Sequence, residues 1–442
     1  MTKKGASASS DRDQPLFNPK DQSQTKPGTS QHPASMPSRR EFLKVGAAAA
    51  VGSGLVAASG AGLAASSADA APPKNVTPPK DDATIALKKV IARPDLWFYP
   101  GEPLDPNEMR VTLMGTGWGS MIRPDQKGAS VFVELGNGDS FVFDVGPGCG
   151  INYNVMQVPF SRMTKIFLTH LHLDHTSDLA WIYTFGPSGD RFTPLQVWGP
   201  SGDKPEYGTK ANIEGIKTLS QWHRPSFASC IDVGKAYDLE IRELDYRLNP
   251  GIAYQANGVT IKHFPRLHII DGAIGYRLEW NGLSMVWTGD GQPSYITVDN
   301  AKGVDLFISE TAPSTQRYAQ ATGLPLPVAE IIVAYSHTPA KALGKMCQLA
   351  NPSLAVTCHC PVDPEEMQDF INGVTGYWKG KYQIGQDLMV FNVSRDKILI
   401  RSGPMHSKPW TVTVIPPASD TPTLNVKDFQ SQEIFGTVIK DY

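Results

Sequence analysis

The chain has 442 residues, of which 40% are hydrophobic and 19% charged, and its formal net charge is -2 at pH 7. This composition is typical of a globular protein with room for one large α/β domain or two smaller ones. Proteins that bind nucleic acid usually carry a basic excess, so the charge balance argues against that class of partner.

The front of the chain has the pattern of an export signal. Residues 1–37 are polar and lack apolar periodicity, which predicts a disordered leader. Residues 38–70 hold the pair Arg39-Arg40, an Ala- and Gly-rich apolar stretch and an A-x-A cleavage site, as twin-arginine signals do. A transmembrane anchor is the alternative, but Ala and Gly are weakly hydrophobic and a cleavage site follows. We therefore expect the twin-arginine machinery to export the protein to the periplasm or beyond, with no stable membrane anchor.

The body of the chain alternates strands and helices. After a linker and N-terminal extension at 71–110, a catalytic domain is predicted at 111–401, followed by a proline-interrupted C-terminal extension at 402–442. Apolar runs and alternation predict helices at 177–185 and 339–350. The same criteria predict strands at 111–114, 130–135, 140–143, 165–169, 259–263, 274–280, 284–288, 306–309, 354–357, 388–393 and 397–401.

The order of these elements indicates an α/β fold. Hairpins come first and helices then alternate with strands, twice over, which favours two packed sheets with helices on the outer faces. Residues 187–258 are turn-rich without a strong period, and we interpret them as an insertion over the site. Five cysteines without a CxxC pair predict mostly core packing, and a disulfide remains open: Cys149, Cys230, Cys347, Cys358 and Cys360.

A cluster of metal-ligand side chains follows the predicted strand at 165–169. It consists of His170, His172, Asp174 and His175, and zinc binds imidazole nitrogen and carboxylate oxygen. In extended backbone His170 and His172 point the same way and can hold one ion, while Asp174 and His175 turn toward a second. A solvated histidine-rich loop is the alternative, which the apolar strand ahead of the cluster disfavours.

A two-metal site needs further ligands, and the sequence offers them at strand ends. Asp290 follows an apolar strand between two glycines, so it is the candidate bridging ligand, although a turn-forming Asp is possible. His359 follows the strand at 354–357, with a core histidine as the alternative. Either His263 or His268 could supply the remaining ligand, and we favour His268 because it lies in a loop whereas His263 ends a strand.

Two further residues are candidates for acid–base chemistry. His337 is predicted to start a helix, and we interpret it as a general acid for the leaving oxygen rather than an ordinary first-turn histidine. Glu310 could orient it. Three large aromatics are candidate walls for an aryl group, although such residues more often pack in the core: Trp118, Tyr183 and Trp222.

With these residues in view, the chain resembles the metallo-β-lactamase fold superfamily over about 111–401, because the HxHxDH loop is that superfamily's defining motif. It looks most like the branch that contains ribonuclease Z and certain exported arylsulfatases. The matching segments are Leu113-Met114-Gly115-Thr116-Gly117, Asp144-Val145-Gly146-Pro147-Gly148, a histidine ahead of Gly275-Tyr276-Arg277, Thr288-Gly289-Asp290, and His337-Thr338 ahead of His359.

The resemblance implies an αββα sandwich and assigns roles to the candidates. By that similarity His170, His172 and His268 hold one zinc. Asp174, His175 and His359 hold the other, and Asp290 bridges them. His337 matches the branch's proton-donating histidine, and Asp144 matches an aspartate that supports the metal loop.

Departures from the ribonuclease pattern bear on the substrate. The His-Glu-Ala-Thr segment of the ribonuclease is Ser309-Glu310-Thr311-Ala312 here, so its histidine is missing. Cys360-Pro361-Val362-Asp363 replaces the arginine-bearing stretch expected for tRNA, and no glycine-rich tRNA-clamping arm is seen. Together with export, these departures predict a small-molecule ester substrate and no nucleic-acid partner.

The expected function is an exported dinuclear hydrolase of phosphate or sulfate esters, either a phosphodiester or an aryl ester, with phosphodiesters slightly ahead. Two divalent ions, zinc by expectation with iron or manganese as alternatives, would lower the pKa of a bridging water toward about 7 and hold it as the attacking hydroxide. A lactonase or β-lactamase is the enzymatic alternative, which would need the acid at His337 less. A non-catalytic metal-binding protein is the other alternative, although no ligand type is missing. A homo-oligomer is possible.

Overall fold

The computed structural model describes residues 87–119, 122–230 and 232–403. The leader, the export signal and all but the first two residues of the C-terminal extension lie outside the described residues. Within the described part, no helix combines the length and apolar character needed to cross a membrane.

Strands and helices follow one another along the described chain. The strands are β1 (Lys89–Trp97), β2 (Met109–Gly115), β3 (Ser130–Leu135), β4 (Ser140–Phe143), β5 (Lys165–Phe167), β6 (Leu195–Pro200), β7 (Leu239–Leu244), β8 (Gly251–Ala256), β9 (Val259–Pro265), β10 (Ile274–Trp280), β11 (Leu283–Trp287), β12 (Leu306–Glu310), β13 (Leu354–Cys358), β14 (Tyr382–Ile384), β15 (Met389–Val393) and β16 (Lys397–Ser402). The helices are α1 (Cys149–Val155), α2 (Leu173–Thr176), α3 (Leu179–Phe185), α4 (Thr209–Leu219), α5 (His223–Ala228), α6 (Tyr295–Ala301), α7 (Thr315–Thr322), α8 (Leu326–Ser336), α9 (Ala340–Ala350) and α10 (Pro364–Tyr377).

The strands form two mixed sheets. Within the described residues, one sheet has the order β1-β16-β15-β2-β3-β4-β5-β6-β7 and the other the order β14-β13-β12-β11-β10-β9-β8. Hairpin neighbours such as β2 and β3 are antiparallel, whereas β4 to β7 and β11 to β14 run parallel. Parallel neighbours need crossover connections, and helices supply several of them.

Apolar side chains fill the space between the sheets and cover both outer faces. Val111 and Phe143 of one sheet share a buried cluster with Ile261 and Ile308 of the other. Helices α1 and α3 pack on the outer face of the first sheet, and α6, α9 and α10 pack on the outer face of the second. The αββα sandwich predicted from the sequence is therefore confirmed.

The prediction that residues 187–258 form only an insertion needs correction. This segment supplies β6 and β7 to the edge of the first sheet and β8 to the edge of the second. Strands β7 and β8 are largely half-buried or exposed, so they lack the continuous apolar run that reveals a central strand. For the same reason the exposed strand β1 was hidden in the predicted linker and extension at 71–110.

The sandwich brings the ends of several strands to one edge. The segments that follow β4, β5, β11 and β13 carry Asp144, His170, Asp290 and His359. Because parallel strands end at the same edge of a sheet, residues far apart in sequence meet there. All five cysteines lie in the described residues and are free thiols, so the disulfide left open above is not formed.

Candidate metal centre

Three histidines form a first ligand group at this edge. His170 Nε2 lies 3.1 Å from His172 Nδ1, and His268 Nε2 lies 3.0 Å from the same atom. His170 and His172 are separated by one residue of chain ahead of α2, as their spacing predicts. His268 comes from the loop after β9. Nitrogens about this far apart can share one ion at bonds of about 2.0–2.1 Å.

A second ligand group adjoins the first. Asp174 and His175 lie in the short helix α2, and His359 directly follows β13. His359 Nε2 is 3.1 Å from Asp174 Oδ2, and the His359 backbone is left-handed with φ of 51°. Non-glycine residues adopt this conformation at an energetic cost, and such strain concentrates at functional sites.

Asp290 stands between the two groups. Its Oδ1 lies 3.3 Å from both His175 Nε2 and His359 Nδ1, while its Oδ2 lies 3.9 Å from His170 Nε2 and 3.8 Å from His268 Nε2. One carboxylate oxygen therefore faces each group. This is the arrangement expected of a ligand that bridges two ions.

The donor set fits two divalent cations. The candidate ligand atoms of each group lie within 4.8 Å of one another. Among the described residues, the buried atoms Asp290 Oδ1 and His175 Nε2 have no hydrogen-bond partner. Buried polar atoms are normally satisfied, so these atoms point to a bound ion. Nitrogen and oxygen donors suit zinc but also accept iron or manganese, and the identity of the metal stays open.

The charges of the ligand groups suit metal binding. Burial lowers the pKa of His170, His172 and His268, that of His268 to about 4, so these imidazoles are neutral at neutral pH. Burial alone would raise the pKa of Asp174, but the imidazoles around it, His175 first, lower it. For His175, burial opposes protonation and the surrounding carboxylates outweigh it, raising its pKa. Neutral imidazole and ionised carboxylate are the forms that bind metal, so an ion bound here would displace the proton from His175.

Asp144 supports the metal loop as the resemblance implies. It accepts hydrogen bonds from the backbone N–H and hydroxyl of Thr169 at 2.8 Å each and from Trp287 Nε1 at 2.8 Å. Its Oδ2 also lies 3.0 Å from His175 Nδ1, which leaves His175 Nε2 directed at Asp290. Carboxylates in this position fix the orientation of a metal-binding imidazole.

His337 and Glu310 form an ion pair beside the ligand groups. His337 Nδ1 lies 3.2 Å from Glu310 Oε2, and its ring centroid is 5.2 Å from that of His268. Burial would lower the pKa of His337, but Glu310 more than offsets it and raises this pKa to about 9. The predicted helix start is wrong: His337 directly follows α8, a helix that sequence reasoning missed, and α9 begins only at Ala340.

Sequence reasoning missed the residues that hold the Asp290 loop. The buried guanidinium of Arg266 donates to the carbonyls of Gly291 and Gln292 and to Thr297 Oγ1. Thr338 donates its hydroxyl to the Gly291 carbonyl. An arginine inside a run of apolar and histidine residues was the available signal, because a buried arginine needs several acceptors.

The positions of His268 and His263 decide which of them is the remaining candidate ligand. His268 joins the first ligand group, whereas His263 is buried in β9 with its Nε2 against Gly251. Burial lowers the pKa of His263 to about 4. His263 is therefore a core histidine.

Two of the three predicted aromatic walls, Tyr183 and Trp222, need correction. Tyr183 is a core residue whose hydroxyl donates to the Tyr237 carbonyl, and Trp222 is 82% exposed at the start of α5. Trp118 is buried against Tyr318, with ring centroids 5.3 Å apart. A cavity of about 360 Å³ does open beside the first ligand group, but other residues line it, among them Leu171, Tyr207, Asn212, Ile270 and Asp271.

Known proteins resemble this chain in sequence. The pattern of the metallo-beta-lactamase superfamily matches residues 123–185. Ribonuclease Z of Mycobacterium bovis (strain BCG / Pasteur 1173P2) is 26% identical over 289 residues, which cover 63% of this chain and 96% of that protein. Ribonuclease Z of Mycobacterium marinum (strain ATCC BAA-535 / M) is 25% identical over 296 residues, covering 63% and 97%.

Solved structures also resemble it. The metallo-beta-lactamase fold protein YhfI from Bacillus subtilis aligns with a TM-score of 0.49 and 17% identity, covering 65% of this chain and 100% of that one. The short form of human tRNase Z aligns with a TM-score of 0.46 and 20% identity, covering 64% and 98%.

The prediction of a small-molecule ester substrate with no nucleic-acid partner is wrong, because the relatives that match over nearly their whole length are named ribonuclease Z. The prediction failed because net charge is a sum over the whole chain and does not describe the charge of a single cleft. A cleft that holds divalent cations can attract phosphates without a basic excess.

Proposed function

Because the chain belongs to the metallo-β-lactamase superfamily and is a metallo-hydrolase, we propose that it cleaves phosphodiester bonds, with RNA as its substrate class. One observation carries the proposal: the Asp290 carboxylate presents one oxygen to each ligand group, and the His337–Glu310 pair lies alongside. The ribonuclease Z relatives support RNA as the substrate.

The ligand residues would hold and space the metals. When bound, two divalent cations stabilise charge on phosphoryl oxygens and make an attacking water more acidic. His170, His172 and His268 would hold one, and the group around His359 would hold the other. Asp290 would fix their separation, because each of its oxygens faces a different group.

His337 would act as the proton donor. Its raised pKa keeps the ring protonated at neutral pH, and Glu310 occupies Nδ1, so Nε2 is the nitrogen that can give a proton to substrate. A ribose alkoxide is a poor leaving group, so protonation by a positioned acid typically contributes about 10²–10⁴ in rate. This need favours a phosphodiester over a lactone or β-lactam.

Glu310 holds that acid in place. Its other oxygen, Oε1, accepts the backbone N–H groups of Gly291 and Thr338 at 2.9 and 3.1 Å. The carboxylate thereby ties His337 to the loop that carries Asp290, and the acid keeps its position relative to the ligand groups.

Export is part of the proposal. Residues 38–70 combine twin arginines with a weakly apolar stretch and an A-x-A site, and the twin-arginine route carries folded proteins. An enzyme that binds two metals would leave the cytoplasm already loaded. Fusing residues 1–80 to a reporter tests this: changing Arg39 and Arg40 together to Lys should retain the reporter in the cytoplasm, and undiminished export would contradict it.

A substrate panel tests the function. Purified protein is assayed on an oligoribonucleotide, methyl p-nitrophenyl phosphate, p-nitrophenyl sulfate, a γ-lactone and a β-lactam. We expect kcat/KM for the two phosphodiesters to exceed the others by at least about tenfold, with at least a hundredfold loss in Asp290→Asn. Faster hydrolysis of the sulfate would indicate a sulfatase, and faster hydrolysis of the lactone or lactam would indicate that alternative.

A further inference from the structure

The cavity beside the first ligand group has the dimensions and lining of a ligand pocket. Its volume is about 360 Å³, and His170, His172 and His268 form its inner wall. Leu171 and Ile270 add apolar surface. Ligand pockets commonly combine such apolar walls with a few polar groups that fix orientation.

Tyr207 offers a stacking surface in this cavity. It ends the short 3₁₀ turn Pro205–Tyr207 ahead of α4, and it is 47% exposed although it lines the cavity. Lys204 Nζ lies 5.3 Å from the centroid of its ring, a cation–π contact that restrains the side chain. An exposed aromatic ring beside a phosphodiester site can stack on a nucleic-acid base.

The cavity also presents polar groups, among them the side chain of Asn212. The carboxylates of Glu206 and Asp271 also line the cavity, and none of its described lining residues is Lys or Arg. These carboxylates would repel a second phosphate, whereas they would not repel a neutral flat ring.

We propose that this cavity binds the base of a nucleotide next to the scissile phosphate, with the ring stacked on Tyr207. This inference rests on the proposed phosphodiesterase function and adds the residue that selects the substrate.

The test compares substrates that share one leaving group. These are the p-nitrophenyl esters of cytidine and uridine 5′-phosphates, those of the 2′-deoxynucleoside 3′-phosphates, and methyl p-nitrophenyl phosphate, which has no base. The variants are Tyr207→Ala and Tyr207→Phe, each checked for its Tm. Tyr377→Ala is the matched control, because Tyr377 is 49% exposed but lies on α10 outside the cavity.

For wild type we expect the cytidine and uridine esters of at least one series to have a KM below that of the methyl ester. Tyr207→Ala should raise KM for the cytidine ester about tenfold with kcat nearly unchanged, while Tyr207→Phe keeps the wild-type value. No variant should change KM for the methyl ester.

The outcomes separate the two proposals. Two results would show that the base pocket is wrong while leaving the phosphodiesterase proposal intact. In one, wild type hydrolyses the methyl ester and has no lower KM for either nucleoside ester. In the other, Tyr207→Ala leaves every KM unchanged. If wild type hydrolyses none of these diesters, the proposed function itself is wrong.

Discussion

At the scale of single residues, the site depends on how Asp290 and His337 are held. Asp290 lies between Gly289 and Gly291, whose φ angles are both positive, 54° and 152°. His337 is held by its ion pair with Glu310. The motif at His170–His175 predicted its own ligands because they lie on one loop. The role of Glu310 could only be guessed, because its partners Gly291 and Thr338 come from other segments.

Glu310→Gln should shift the pH dependence of hydrolysis. Wild-type activity on an oligoribonucleotide should fall as pH rises through the His337 pKa of about 9, since the acid loses its proton. Without the carboxylate, burial lowers that pKa, so the falling limb should move down by at least about one pH unit. Profiles of kcat for the oligoribonucleotide and for methyl p-nitrophenyl phosphate, whose leaving group needs no acid, are the measurement. An unchanged oligoribonucleotide profile would remove Glu310 from this role.

His268→Ala and His263→Gln should separate ligand from core histidine. His268→Ala removes a member of the first ligand group, so metal bound per chain should fall toward one ion. His263→Gln should keep the wild-type metal content and lower the unfolding free energy by about 1–3 kcal/mol, since the site is buried. Elemental analysis with a thermal melt measures both, and metal loss in His263→Gln alone would reverse the assignment.

At the scale of elements, the ends of β4, β5 and β11 are tied together under the ligand groups. Asp144 after β4 bonds to Thr169 after β5 and to Trp287 at the end of β11. The sequence predicted these strands well because they are buried and apolar. It missed β7 and β8, whose half-exposed faces give no clear period, and so it missed Tyr207 and Asn212 between β6 and β7.

Asp144→Asn should loosen the metal loop. The amide can accept at one oxygen only, so some of the donors from Thr169, Trp287 and His175 lose their acceptor. We expect metal affinity to fall about 10–100-fold. A chelator competition assay gives the affinity, and wild-type affinity in the variant would show that the bonds to Asp144 do not orient the ligands.

Gly289→Ala should strain the turn after β11. Gly289 has φ of 54°, and an added Cβ would lie 2.5 Å from Thr169 Cβ. We expect the unfolding free energy to fall by about 2 kcal/mol. Gly215→Ala in α4 is the matched control, since its Cβ would meet nothing within 4 Å and alanine favours a helix. Equal denaturation midpoints for Gly289→Ala and wild type would contradict this.

At the scale of the whole molecule, the sandwich and its ligand set follow from local patterns, whereas the substrate cleft does not. Strand-end ligands can be predicted because buried strands and metal donors both leave signals in the sequence. Which aromatic faces the cleft depends on packing: Tyr183 is in the core and Tyr207 lines the cavity. Net charge likewise gave a wrong prediction of the partner class, because it does not describe the local charge at the edge of the sandwich that carries the candidate metal ligands.

We propose above all that two metals, held by the ligand groups on either side of Asp290, would make this chain a phosphodiesterase. Titrating metal-free protein with zinc, iron or manganese while following methyl p-nitrophenyl phosphate hydrolysis tests it most directly. We expect no activity in the metal-free protein and full activity only as the bound metal approaches two ions per chain. Full activity at one bound ion, or hydrolysis that persists in the metal-free protein, would contradict it.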